Sequence, residues 1–119
     1  MDATQVLAIL RDNRLFDETD EGVLLRACIR ALGFVKDRLR DDVDESDPRI
    51  AVTAAALARY RLFFDMLESG ERFSSYKAGD ITIQRDLKAE VAAEQALRDE
   101  ALTQAAPILR DGGFFVAVQ

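Results

Sequence analysis

Apolar residues recur at helical spacing over most of this chain. Asp2 has the character of an N-cap, with Gln5 three residues on and Val6, Leu7 and Leu10 after it, the signature of a capping box opening a short amphipathic helix that ends near Asn13. Leu15 and Phe16 then tuck under a turn. The acidic run 17–21, DETDE, supplies caps and first-turn carboxylates for a second helix, where the macrodipole favours negative charge. Its stripe, Leu24, Leu25, Cys28, Ala31, Leu32, Val35 and Leu39, repeats at steps of three and four for about five turns. Gly33 lies inside it, either to permit a close helix crossing or as a tolerated defect.

Asp41–Asp47 (DDVDESD) reads as an acidic loop, and Asp47-Pro48 as an N-cap with the proline that suits a first helical position. A third helix runs from Pro48 to about Glu68, with Ile50, Ala54, Leu57, Ala58, Phe64 and Leu67 on one side and Arg49, Arg59, Arg61 and Asp65 largely on another. Its alanine-rich start would let a neighbouring helix approach closely, and Ser69-Gly70 ends it. Residues 71–84 change character: polar residues and Ala78-Gly79-Asp80 precede an alternating Ile81, Thr82, Ile83, which predicts a short strand or extended arm. From Arg85 a long helix resumes through Leu87, Val91, Ala92, Gln95, Ala96, Asp99 and Leu102, with Ile108 and Leu109 at its end and Pro107 kinking or dividing it. After Gly112-Gly113 the chain reads FFVAVQ, a strand-like apolar tail that needs covering.

The expected fold is therefore mainly α: a single domain over 1–119, built as a bundle of about four to five helices. To it are added a short extended arm or β-hairpin-like segment at 72–84 and a C-terminal strand-like tail at 112–119. The low glycine and proline content, 6 and 2 residues of 119, agrees with helices. No apolar run is long enough to span a bilayer, and the acid-containing N-terminus is unlike a signal peptide. A cytoplasmic protein with no membrane association is the expectation.

The chemical inventory is narrow. With one cysteine, Cys28, and no histidine, an internal disulfide, a cysteine-based zinc site and any nucleophile that relies on an imidazole base are excluded. No metal or cofactor is expected. Asp42, Asp44 and Ser46 echo alternating calcium ligands, but the central glycine is missing and Thr53 stands where the twelfth-position glutamate belongs. Tyr60 and Tyr76 read as packing residues, Gly79 is too isolated to cradle a phosphate, and Cys28 sits on the apolar stripe as a small core residue. Charge is segregated: Arg26, Arg30, Lys36, Arg38 and Arg40 make the second helix basic, and five carboxylates crowd the loop directly after it. Phosphate binding by this face is the weaker reading, because base-stacking aromatics are not interleaved with it, and two others stand side by side. The basic face is either solvated, with C-terminal cations complementing the helix dipole, or it meets the acidic loop of a neighbouring copy head to tail. The net charge of −6 argues against a dedicated nucleic-acid binder.

Three stretches carry a family resemblance: the acid-rich helix start at Asp17–Glu21, the turn Ala78–Ile83, and the ending at Ala105–Phe115 with its LRDGGFF. Together with the order of elements they resemble the small head-tail connector (head completion or adaptor) proteins of tailed bacteriophages and prophages. The resemblance implies a non-enzymatic structural subunit, present in the virion after assembly in the cytoplasm, whose copies form a ring beneath the portal and extend the DNA channel. A dodecamer is one candidate and the stoichiometry stays open. It implies contacts to like copies, the portal and the tail-side connector, with DNA passing without specific binding. The implied interface residues are Arg72, Phe73, Tyr76, Gly79, Asp80, Ile81 and Ile83 in the arm and Phe114, Phe115, Val116 and Val118 in the tail. A small helical interaction module or regulatory accessory subunit is the alternative.

Overall fold

The computed structural model describes residues 2–12, 16, 19–69 and 81–110, with 68–69 and 81–87 described by backbone alone. Among the described residues four α-helices are formed, α1 (Ala3–Arg11), α2 (Glu21–Lys36), α3 (Pro48–Ser69) and α4 (Ile81–Ala105), and a 3-10 turn follows the last of them at Ala106–Ile108. The mainly helical bundle expected from the pattern is what the chain adopts.

Each helix start has its cause in local chemistry. The capping box of α1 is complete: the Asp2 carboxylate accepts from the amides of Thr4 (3.1 Å) and Gln5 (3.4 Å), and Gln5 Oε1 accepts from the Asp2 amide at 3.1 Å. At α2 the cap is Asp20, whose side chain makes no capping bond, so the acidic run contributes Glu21 to the first turn rather than a side-chain cap. Asp47 starts α3. Its Oδ1 accepts from the Arg49 amide at 2.9 Å, and its two oxygens take the Arg49 guanidinium at 3.1 and 2.7 Å.

α3 is the axis of the bundle, packing against α1, α2 and α4. A one-sided stripe does not describe it: Ile50, Ala51, Thr53, Ala54, Ala55, Ala58, Leu62 and Phe63 are all buried, whereas Phe64 and Leu67 are only half-buried. A helix apolar nearly all round is one with neighbours on several sides. Thr53 is accommodated there because its hydroxyl donates to the Arg49 carbonyl at 2.6 Å. The remaining core comes from Val6 and Leu10 of α1, Leu24, Cys28, Ala31, Leu32 and Val35 of α2, Leu102 and Ala105 of α4, Ile108 and Leu109 at the chain's exit from α4, and Phe16 from the connection between α1 and α2. The predicted α2 stripe is thus largely the buried one, although Leu39 lies beyond the helix end.

Two expectations are corrected. Ile81, Thr82 and Ile83 are the first turn of α4, not a strand or extended arm. Three alternating residues are a weak period, and β-branched side chains lose only about half a kcal/mol of helix propensity, which cooperative propagation from a long helix outweighs. On α4 itself Gln95, Ala96 and Asp99 are exposed; among its described side chains Glu94, Leu102 and Ala105 are inward, flanked by half-buried Val91, Arg98 and Ala101. The α-helix stops at Ala105, so Pro107 does not kink or divide a helix that runs on to Ile108 and Leu109: it lies in the 3-10 turn that follows, and Leu109 is extended. Arm residues 72–80 and tail residues 112–119 lie outside the described residues, as do Leu15 and Gly70.

The chain leaving that turn is pinned. Leu109 is extended and forms an antiparallel bridge with Leu39. Arg40 N–H donates to the Ile108 carbonyl at 2.9 Å, and Arg110 N–H to the Arg38 carbonyl at 2.8 Å. The exit from α4 is therefore tied to the segment between α2 and the acidic loop.

These local arrangements have measurable consequences for stability. Gly33 is exposed inside α2, and a β-carbon there meets nothing within 4 Å, so it makes no close crossing. Gly33→Ala should stabilise the fold by about 0.5–1 kcal/mol in urea denaturation. The Asp47 carboxyl is held below the usual range, first by the Arg49 guanidinium and then by the Arg49 amide. A folded-state pKa lower than the unfolded value of about 3.9 means that the contact stabilises fully above pH of about 4 and is lost as pH falls through the lowered value. Asp2 and Asp44 are lowered by their own hydrogen bonds and act with the same sign. Thermal melts below pH of about 4 should decline less steeply for Asp47→Asn than for the wild type.

Candidate docking surface

Two grooves flank α3, and they differ in chemistry. The first lies among α1, α3 and α4, with a volume of about 440 Å3. Ile9, Val52 and Leu97, three of the five large apolar side chains exposed among the described residues, line it. Arg59 and Glu94 also line it, joining α3 to α4 as a fork: Arg59 Nε to Glu94 Oε2 at 2.9 Å and Arg59 Nη2 to Oε1 at 2.7 Å. Glu94 is 7% exposed. A carboxylate so far from water is tolerated only with a partner of this geometry. Sequence periodicity hid this pair because a polar residue at an inward position reads as a surface residue. The available signal was phase: Val91, Glu94, Arg98, Ala101 and Ala105 step by three and four, and two of the five are charged.

The second groove, about 520 Å3, lies between α2 and α3 and is closed at one side by Arg98 of α4. Its floor includes Ala27, Ala31, Leu57, Ala58 and Leu62, and its walls Phe34 and Tyr60. Four arginines edge it, and they are not equivalent. Arg61 pairs with Asp65 at 3.4 Å. Arg98 pairs with Asp99 at 3.0 Å and lies over the Tyr60 ring, 4.3 Å from its centroid. Arg26 and Arg30, one turn apart on α2 and both exposed, have no carboxylate partner among the described residues.

The basic helix face read from the sequence is thereby divided. Arg26 and Arg30 face the groove. Arg38 turns back on α2, its guanidinium 3.5 Å from the Phe34 ring centroid and its Nη1 donating to the Phe34 carbonyl at 3.1 Å, the helix-end role that a cation takes against the macrodipole. Arg40 is exposed and enters the chain-exit bridge through its backbone. The acidic loop is ordered by its own turn chemistry: Asp44 Oδ1 accepts from Ser46 N and Oγ, each at 2.8 Å. Asp41, Asp42 and Glu45 stand exposed with no cationic partner among the described residues.

Of the predicted interface residues, Ile81 and Ile83 fall in the first turn of α4. Arg72, Phe73, Tyr76, Gly79, Asp80, Phe114, Phe115, Val116 and Val118 lie outside the described residues. Tyr60 packs against Phe64, with ring centroids 4.8 Å apart, as expected of a packing residue. Cys28 is fully buried, and burial pushes its thiol pKa up, which suits a core residue and not a nucleophile. Among the described residues no three His, Cys, Asp or Glu side chains are grouped to hold a metal ion, and no helix is long and apolar enough to cross a membrane. Comparison with protein-family models, curated proteins and solved structures finds no match for this chain.

Glu94 provides the test of the α3–α4 joint. Glu94→Ala leaves the half-buried Arg59 guanidinium without its acceptor and should cost about 2 kcal/mol in urea denaturation. Arg59→Met combined with Glu94→Leu should recover most of that loss, since an apolar pair of similar volume needs no compensating charge.

Proposed function

We propose that this chain is a structural, non-enzymatic subunit of the phage or prophage head-tail connector type, assembling as a ring beneath the portal and extending the DNA channel. The observation that carries the reading is the pinned exit at Leu39 and Leu109. Two backbone hydrogen bonds hold the chain as far as Arg110, next to the segment that leads into the acidic loop. That segment contains Gly112-Gly113 and the apolar Phe114, Phe115, Val116 and Val118. An apolar stretch that follows a fixed point in the chain is well suited to bridging to a neighbouring subunit, to the portal or to the tail-side connector. The overall charge of −6 is compatible with a channel along which DNA slides, because few phosphate contacts would hold it.

A second reading, a helical protein–protein interaction module, is favoured by the groove lined by exposed Ile9, Val52 and Leu97. The genes on either side of this one separate the two. Portal and capsid frames upstream with tail frames downstream support the connector. A neighbourhood of regulators or metabolic enzymes overturns it in favour of the interaction module. Where particles can be produced, deletion of Gly112–Gln119 should leave helical circular dichroism unchanged and abolish incorporation of the subunit. Unimpaired incorporation would remove the assigned role of the tail.

A further inference from the structure

The α2–α3 groove is a positive feature on a negative protein, and two of its arginines, Arg26 and Arg30, have no carboxylate partner among the described residues. We propose that the groove of one copy receives the acidic loop 41–47 of a second copy, Arg26 and Arg30 meeting Asp41, Asp42 and Glu45. The inference rests on the assembly reading for its biological use, while its physics depends only on these two surfaces.

The charges match in kind and availability. Arg61, Arg98, Asp44 and Asp47 are each engaged within their own neighbourhood. The two groove arginines and the three loop carboxylates remain, exposed and without ionic partners among the described residues. Among the described residues, the loop and the groove of one copy do not meet. The loop precedes Pro48 at the start of α3, whereas Arg61 marks the middle of the groove on the same helix; thirteen residues at 1.5 Å each set the two roughly 20 Å apart along a rigid helix. The contact must therefore form between copies. Because donor and acceptor are different patches at separated places on the molecule, it is heterologous: each copy gives its loop to one neighbour and its groove to another. Repetition of such a contact closes into a ring or grows as a filament. The apolar floor of Ala27, Ala31, Leu57, Ala58 and Leu62 lowers the local dielectric around the arginines, so an ion pair at its edge is worth more than one in open water.

The test is sedimentation of the full-length chain across a concentration series at low salt. Wild-type protein should self-associate and revert towards monomer near 1 M salt, where the Debye length is about 3 Å. Arg26→Glu with Arg30→Glu should weaken association at least about tenfold, and so should Asp41→Arg with Asp42→Arg, each with unchanged helical circular dichroism. Mixing the two variants should restore association, because the unaltered loop of one then meets the unaltered groove of the other, and the reversed loop meets the reversed groove. Wild-type protein that stays monomeric into the millimolar range overturns the proposal. So does association that survives high salt and both reversals, which would assign it to an apolar contact, and so does a mixture that fails to recover. The genes flanking this one decide the connector reading separately, so either conclusion can fail alone.

Discussion

Three helices can share one central partner only if that partner presents small side chains in most directions, and this is the constraint on which the bundle depends. Ala51, Ala54, Ala55 and Ala58 occupy the first half of α3, all buried, with Ile50, Leu62 and Phe63 supplying bulk. The cost of such an axis is that alanine buries little area: at about 25 cal/mol per Å2 of apolar surface, each contributes far less than a leucine. Part of the remaining cohesion is polar. The Arg59–Glu94 fork ties α3 to α4, and the Leu39–Leu109 bridge ties the end of α4 to the exit of α2. Neither is a large term by itself, but each holds together elements far apart in the sequence.

How much of this was legible in the sequence depended on how local its cause was. The Asp2–Gln5 box, the Asp47-Pro48 start and the α2 stripe are determined within one or two turns, and the chain adopts them as the residue pattern implies. The errors have non-local causes. Phe63, not Phe64, is buried, because α3 is enclosed on several sides and a one-sided template assigns the wrong neighbour. Glu94 is inward because Arg59, 35 residues away, meets it there. Ile81–Ile83 are helical because a long helix extends back over a stretch whose own period was too short to decide the matter. For the candidate surface, charge segregation was visible as composition. The division between Arg26 and Arg30 on one side and Arg38 on the other required the third dimension.

That division bears on how the charges act. A basic helix running into an acidic loop would ordinarily neutralise itself locally, as Asp47 and Arg49 do. Here helix geometry prevents it. Successive positions on α2 point around the axis, so Arg38 folds against Phe34 at the helix end while Arg26 and Arg30 point into a groove two or more turns away from the loop. Among the described residues, Arg26 and Arg30 on one side and Asp41, Asp42 and Glu45 on the other have no ionic partner. Proteins remove such imbalances cheaply when the groups can reach one another, since exposed side chains reorient at little cost. Opposite patches held apart by a helix retain their unmatched field, and another molecule carrying the same two patches is the simplest object that satisfies both at once.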